Sequence, residues 1–204
     1  MRALEALSVI LGFIDEYQGH RYEPNGEIID CFYPAEREQA DSFREWLVAL
    51  AAERGISASI RSETRESGHI DVSCRDLAFL ISESYRVRRR SLYYSIDLHG
   101  EPCPSIEVYD LYISEEVFAH AGMREKLSFL VGAYLRFGKE NAYVFANAEH
   151  KVRLTMNLLE EVGCTNVSLS TNPDDCIPRV STISFAPSAA LAVLLANANQ
   201  RGLE

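Results

Sequence analysis

The sequence lacks several features that would place it directly in a broad class of proteins. No stretch approaches the roughly 18 uninterrupted apolar residues of a membrane-spanning helix. The amino-terminal segment MRALEALSVILGFIDE carries acids inside its apolar run, unlike a signal peptide. The five cysteines are odd in number and include no C-x-x-C pair, so they indicate neither a disulfide framework nor a zinc finger. We therefore expect a cytoplasmic protein with reduced, buried cysteines and no membrane partner.

The sequence also lacks the common phosphate-binding and hydrolase motifs. It contains no G-x-x-x-x-G-K-[ST], no G-x-G-x-x-G and no G-x-S-x-G, so P-loop, dinucleotide-binding and hydrolase-elbow chemistry have no starting residues. The five histidines are dispersed along the chain and predict no metal site by themselves. We expect no resident cofactor on these grounds.

Basic residues are outnumbered. The chain has 20 lysines and arginines against 30 acids, which gives a formal net charge of -10. Proteins that bind the phosphate backbone usually carry a basic surface, because releasing counterions supplies much of their affinity. The overall charge therefore disfavours a dedicated nucleic-acid-binding protein, although a local basic face is compatible with it.

One dense basic cluster is present. This arginine cluster, Arg86, Arg88, Arg89 and Arg90, falls at the end of the third predicted helix. It could bind phosphates, or it could cap that helix and pair with the acidic segment that follows, which is the commoner arrangement. Two further candidates for nucleic-acid contact precede this helix: Arg61 on a predicted strand, and Arg65 in the turn that follows it.

Hydrophobic periodicity and turn signals predict alternating helices and hairpins in both halves of the chain. In the first half they predict a helix from Arg2 to about Tyr17, strands HRYEP and GEIIDCFYP, a helix over about 40–53, strands ISASIRSE and HIDVSC, and a helix DLAFLISES with Asp76 as its N-cap. In the second half they predict a helix from Glu125 to Phe137, strand NAYVFAN, helix AEHKVRLTMNLLEEVGC, strands TNVSLST and RVSTISF, and helix PSAALAVLLANA. The second half lacks one hairpin strand in this prediction.

The two halves are related by an internal repeat. LSVILGFID parallels LSFLVGAYL, which places Gly12 opposite Gly132, and AERGI parallels the end of LEEVGC. We divide the chain into a first repeat over 1–86, an insert over 87–121 and a second repeat over 122–204. From Ser91 onward the insert contains six acids and no lysine or arginine, and we expect it to hold strands SLYYSIDL and SIEVYDLYI.

This order of elements resembles the LAGLIDADG homing endonuclease family. The resemblance implies an α+β fold: a pseudo-duplicated α-β-β-α-β-β-α saddle, here with an inserted, strand-containing linker. In that family the two motif helices pack side by side, their small residues allow close approach, and the saddle sits on DNA. Gly12 and Gly132 would then be the helix-crossing residues, and a single chain would act as a pseudo-dimeric monomer.

The motif departs from the family pattern at the metal-binding positions. The second acid of the motif falls on Tyr17 in the first repeat and on Phe137 in the second. A metal-dependent cleavage of phosphodiesters needs hard oxygen ligands from both helices, which aromatic rings do not supply. We expect no catalytic residues and no metal. If the chain is a nuclease, Asp15 and Glu16 would hold Mg²⁺; otherwise Asp15 bonds locally and Glu16 is solvated.

We therefore predict a non-catalytic, LAGLIDADG-like binding or regulatory protein with a protein or nucleic-acid partner. The alternative is a metal-dependent, homing-type DNA endonuclease. The chain is also similar to the degenerate LAGLIDADG-like domain of WhiA-type sporulation regulators. Those proteins add a helix-turn-helix region, for which we expect no room after Ala198.

Overall fold

Helices and antiparallel strands alternate along the chain. The computed structural model describes residues 4–16, 27–92, 106–173 and 178–201, with backbone alone for 87–92, 106–111 and 199–201. The first half contains α1 (Ala6–Phe13), β1 (Ile28–Phe32), a 3-10 turn (Pro34–Glu36), α2 (Arg37–Arg54), β2 (Arg61–Thr64), β3 (Ile70–Ser73) and α3 (Arg75–Ser82). Then follow β4 (Tyr85–Leu92), β5 (Ile106–Ile113), α4 (Glu116–Ala119), α5 (Met123–Phe137), β6 (Gly138–Lys139), β7 (Ala142–Ala146), α6 (Glu149–Glu161), β8 (Thr165–Thr171), β9 (Val180–Ala186) and α7 (Ala189–Arg201).

The central element of the first half, α1, packs mainly against α5. The side chain of Glu5 accepts a hydrogen bond from the backbone N–H of Ser8 at 2.6 Å and so caps the amino end. The helix ends earlier than predicted, because Ile14 leaves the helical conformation with ψ of 134°. Asp15 and Glu16 therefore follow the helix, and Tyr17 lies outside the described residues.

The first half builds a three-stranded antiparallel sheet in the order β1-β3-β2, against which α2 packs. Gly55 ends α2 in the left-handed conformation, φ of 64°, as its position after Arg54 predicted. The strand predicted for HRYEP lies outside the described residues. The prediction of Asp76 as N-cap was wrong, because Cys74 occupies that position. Asp76 lies in the first turn of α3, where the negative charge of an acid interacts favourably with the helix dipole.

The second half builds a four-stranded antiparallel sheet in the order β6-β7-β9-β8. The predicted lack of a hairpin strand is corrected by β6, whose two residues follow α5 directly and pair with β7. A strand this short leaves no alternating pattern in the sequence. Glu140 closes the turn between the two strands with φ of 54°.

The arginine cluster lies on a strand, which corrects its predicted place at the end of a helix. α3 ends at Ser82, and Tyr85 begins β4, which pairs along its whole length with β5. The insert thus contributes the second strand of a hairpin whose first strand begins before it. The short helix α4 follows this hairpin and was not predicted.

The core is continuous between the two halves, and the predicted α+β class is confirmed. Rings from α1, β1 and α2 pack together in the first half, with centroids of Phe13 and Phe43 5.3 Å apart. The cysteines within the described residues are free and buried: Cys31, Cys74 and Cys164. No helix in the described ranges is both long enough and apolar enough to cross a membrane.

Candidate functional site

The backbones of α1 and α5 touch where the two glycines lie. A Cβ atom on Gly12 would stand 2.0 Å from the carbonyl oxygen of Phe129, and one on Gly132 would stand 2.0 Å from that of Val9. Backbone atoms this close leave no room for a methyl group, since protein interiors are close-packed. The missing side chains therefore permit the contact, and matching positions of the repeat meet in space.

Beyond this crossing, the carboxyl ends of α1 and α5 bring charged residues together in the interior. We call this set the helix-end cluster: Asp15, Glu16, Asp30, Glu36, Arg136 and Lys151. All four acids come from the first half of the chain, and both bases come from the second.

Arg136, at the end of α5, is the centre of the first group of contacts. Its side chain is fully buried, and its Nη1 donates to Oδ2 of Asp30 at 2.6 Å. Its Nε donates to Oε1 of Glu36 at 3.0 Å, and its Nη2 donates to the carbonyl oxygen of Cys31 at 3.0 Å. The guanidinium also lies over the ring of Phe32, 4.2 Å from its centroid. This side chain is therefore fixed by hydrogen bonds and by a cation–π contact.

Lys151, near the start of α6, is the centre of the second group. Its side chain is also buried, and its Nζ donates to the carbonyl oxygens of Leu11, at 3.2 Å, and of Ile14. The carboxylate of Glu16 accepts hydrogen bonds from the backbone N–H groups of Lys151, at 3.2 Å, and of Ile113, at 2.9 Å. The expectation that Glu16 is a solvated acid was therefore wrong.

Asp15 lies between these two groups and is buried, with 9% of its surface exposed. Its backbone N–H donates to Oδ2 of Asp30 at 3.1 Å, and its own Oδ2 lies 4.0 Å from Nη2 of Arg136. Asp15 therefore contacts Asp30 on β1 and lies near Arg136 in the other half of the chain, so its contacts are not only local.

Burial shifts the proton affinities of the helix-end cluster. It raises the pKa of Asp30 to about 7, against the opposing pull of Arg136. It lowers the pKa of Lys151 to about 8 and raises the pKa of Glu16, although these two groups attract each other's charged forms. For each of these three groups, desolvation therefore shifts the pKa more than the nearby opposite charge shifts it back.

The residues present do not fit the Mg²⁺ that the family resemblance implies. Mg²⁺ prefers an octahedral set of oxygen ligands. Here the oxygens of Asp30 and Glu16 accept hydrogen bonds from Arg136 and from backbone N–H groups, and Phe137 presents a ring. That ring lies 5.0 Å from Nζ of Lys151, so the second motif position faces a cation. No group of three or more His, Cys, Asp or Glu within the described ranges is arranged to hold a metal ion.

The candidate arginines whose side chains are described, Arg61, Arg65 and Arg86, pair with acids outside the helix-end cluster. Arg61 pairs with Glu27, and Nε of Arg65 lies 2.6 Å from Oδ2 of Asp71, both at the first sheet. Nη2 of Arg86 lies 2.8 Å from Oε2 of Glu116 on α4, which is the acid pairing considered for the cluster. The other arginines of the cluster lie on β4, among the residues described by backbone alone.

Sequence reasoning did not identify Asp30, Glu36 or Lys151, and it noted Arg136 only as a departure from the motif. One signal for Lys151 was present: when the glycines that end the second helix of each repeat are aligned, Lys151 falls opposite Phe43. Phe43 is a fully buried core residue. A lysine at a core position predicts a buried polar contact.

Comparison with solved structures identifies the architecture. A structure of mesophilic variants of the homing endonuclease I-DmoI matches with a TM-score of 0.55 at 13% identity, over 94% of this chain and 87% of that chain. I-DmoI in complex with DNA and Ca matches with a TM-score of 0.55 at 14% identity, over 89% of this chain and 82% of that chain. I-DmoI is a LAGLIDADG homing endonuclease. The chain has a LAGLIDADG-like fold.

A third match, I-DmoI in complex with DNA and Mn, has a TM-score of 0.54 at 14% identity and covers 89% of each chain. No protein-family model and no curated protein matches the sequence. The LAGLIDADG-like architecture therefore rests on three-dimensional similarity, and it places the α1–α5 pair at the centre of the fold. The resemblance deduced from the internal repeat is confirmed.

Proposed function

We propose that this chain is a non-catalytic, LAGLIDADG-like DNA-binding protein. The observation that carries the proposal is the end of α5, where an ion-paired arginine and a phenyl ring stand in place of a metal-binding carboxylate. Arg136 forms salt bridges with Asp30 and Glu36, and the ring centroids of Phe137 and Phe145 lie 5.0 Å apart. Such an end can stabilise the helix pair, but it offers no ligand to a metal-activated water.

The open face of the second sheet supports the choice of DNA as the partner. The strands β6, β7, β8 and β9 contain no acidic residue, although the whole chain carries a net charge of -10. The face of this sheet that points away from the buried rings carries hydroxyl and aliphatic side chains with one exposed lysine: Lys139, Ala142, Val144, Ala146, Ser168, Ser170, Val180, Thr182 and Ser184. Hydroxyl groups and lysine bind phosphates and base edges, and the absence of acids removes repulsion.

Two of the matched I-DmoI structures are complexes with DNA, which supports the choice of DNA as the partner. The first sheet contributes differently, since its open face carries both acids and arginines. Arg61 and Arg65 are each paired with an acid there. We therefore assign the larger share of DNA contact to the second sheet.

A protein partner is the second candidate, and the charge of the chain favours it. The acids exceed the bases by ten, and the described ion pairs of the arginines occupy several of the bases. A protein with basic surface would be attracted to such a chain over several ångströms at low salt. In this case DNA binding would be absent.

The proposal is tested by measuring the affinity of the chain for random-sequence duplex DNA across a salt titration. We expect binding at low salt that weakens as salt rises, because phosphate contacts release counterions. Ser168→Glu adds an acid to the open face of the second sheet and should weaken binding about tenfold or more.

The matched control is Ser42→Glu, which adds the same charge on α2. This helix packs against the first sheet and takes no part in the open face of the second sheet. Its DNA affinity should stay close to that of the wild type. Absence of binding at low salt, or equal losses in the two variants, would contradict the proposal and favour the protein partner.

A further inference from the structure

The carboxyl end of α1 is buried and has no basic residue of its own. The last four carbonyl groups of a helix have no partner within it, and they carry a partial negative charge. No basic residue lies in the last turn of α1, and Phe13 and Ile14 are fully buried. This helix end therefore needs donors from elsewhere in the protein.

Both bases of the helix-end cluster supply those donors from the second half of the chain. Nζ of Lys151 donates to the carbonyl oxygens of Leu11 and Ile14, and Nη1 of Arg136 lies 3.5 Å from that of Phe13. The two cations thus reach three carbonyl groups at one helix end.

The same two cations face the acids of the first half. Arg136 is bonded to Asp30 and Glu36, and Lys151 attracts the carboxylate of Glu16, which its backbone N–H also binds. An acid buried without such a partner would be strongly destabilising, because desolvation penalises an uncompensated charge. The second half therefore provides the positive charge that the buried acids of the first half require.

Equivalent positions of the repeat carry opposite charges. Glu16 lies four residues after Gly12, and Arg136 lies four residues after Gly132. Each side chain contacts the other half: Glu16 accepts from the backbone of Lys151, and Arg136 donates to Asp30. The halves are thus complementary in charge, although their folds repeat.

We infer that Arg136 and Lys151 are built-in cations that join the two halves, at the helix ends where the family resemblance places divalent metal ions. The first half supplies carbonyl groups and carboxylates, and the second half supplies fixed ammonium and guanidinium groups instead of metal ligands. The folded state therefore needs no divalent ion at this place. This inference goes beyond the proposed function and does not depend on DNA binding.

The test is a thermal unfolding cycle of the full chain at neutral pH. Lys151→Met keeps much of the side-chain volume but removes the charge, so it should lower the unfolding temperature by several degrees. Adding Glu16→Gln to that variant should recover part of the loss, because the carboxylate left without its cation is then gone. Lys139→Met, at an exposed site on β6, should change the unfolding temperature little.

The inference is overturned if Lys151→Met is as stable as the wild type, or if Glu16→Gln recovers none of its loss. A second measurement applies even if Lys151→Met does not fold. The unfolding temperature of the wild type should be the same in EDTA, in Mg²⁺ and in Mn²⁺. A saturable rise with either ion that disappears in Asp15→Asn would show that a metal binds at the helix ends and would overturn the inference.

Discussion

Asp30 and Lys151 are enclosed by the protein, and both ionise at a pH far from that of the same residues in water. Burial raises the pKa of Asp30 to about 7 and lowers that of Lys151 to about 8. Asp30 is ion-paired with Arg136, and Lys151 feels the charge of Glu16, so in each case the opposite charge from the other half limits the effect of burial without cancelling it. The charged residues at the helix ends therefore make folding sensitive to pH.

The sign of this dependence follows from the two shifts. Asp30 has a folded pKa above its ordinary value of 3.8, so its contribution to stability is complete below that pH and is lost as the pH rises through about 7. Lys151 has a folded pKa below its ordinary value of 10.5, so its contribution improves as the pH rises from about 8 to above 10. Between pH 7 and 8 a fraction of each group is charged, and because both are buried, each charge lowers the stability of the folded state.

Asp30→Asn should remove the acid-side part of this dependence. We expect the free energy of unfolding of the wild type to fall between about pH 4 and pH 7 by up to about 4 kcal/mol more than that of the variant. Urea unfolding across this pH range measures the difference. Asp41→Asn, an exposed acid on α2, is the control and should follow the wild type; equal slopes in the wild type and Asp30→Asn would contradict the assignment.

At the scale of elements, the pair of helices α1 and α5 determines how closely the two halves approach. Their backbones meet at Gly12 and Gly132, where the carbonyl oxygens of the opposite helix occupy the space of a side chain. The repeat in the sequence predicted these two positions. The end of α1 was not predictable from periodicity, because it ends where donors from α5 and α6 bind its carbonyl groups.

Gly12→Ala should separate the helices and lower the free energy of unfolding by about 3 kcal/mol or more. Alanine is the better helix former, so propensity alone would predict the opposite sign. The control is Gly122→Ala at the start of α5, where a Cβ would meet only the flexible carboxylate of Glu125, at 3.0 Å. Denaturant unfolding of both variants decides the question, and a Gly12→Ala protein as stable as the control would be incompatible with the observed crossing.

The sequence predicted long helices better than short elements. The helices α2, α5, α6 and α7 carry periodic apolar residues over three or more turns, and each was predicted close to its observed place. The sequence predicted the arginine cluster at a helix end, and no glycine or proline separates it from α3. Pairing with β5, which is a long-range contact, decided in favour of a strand.

At the scale of the whole molecule, charge is distributed unevenly between two similar halves. The acids of the helix-end cluster all belong to the first half, and the strands of the second sheet contain none. The sequence contained this asymmetry, but its meaning required the fold, because Arg136 lies about 100 residues from Asp30 and Glu36 and meets them only in space. The same folding buries Asp15 and Asp30, two acids that a residue count would assign to the surface.

A DNA cleavage assay with the full chain is the measurement that tests the account most directly. Supercoiled plasmid is incubated with the full chain and Mn²⁺, and its nicked and linear forms are quantified against a reaction without protein. The account predicts the same background level of nicking with and without the protein, because the helix ends hold Arg136, Lys151 and Phe137 where a metal site would need carboxylates. Cutting above background that is abolished by Asp15→Ala or Glu16→Ala would contradict it.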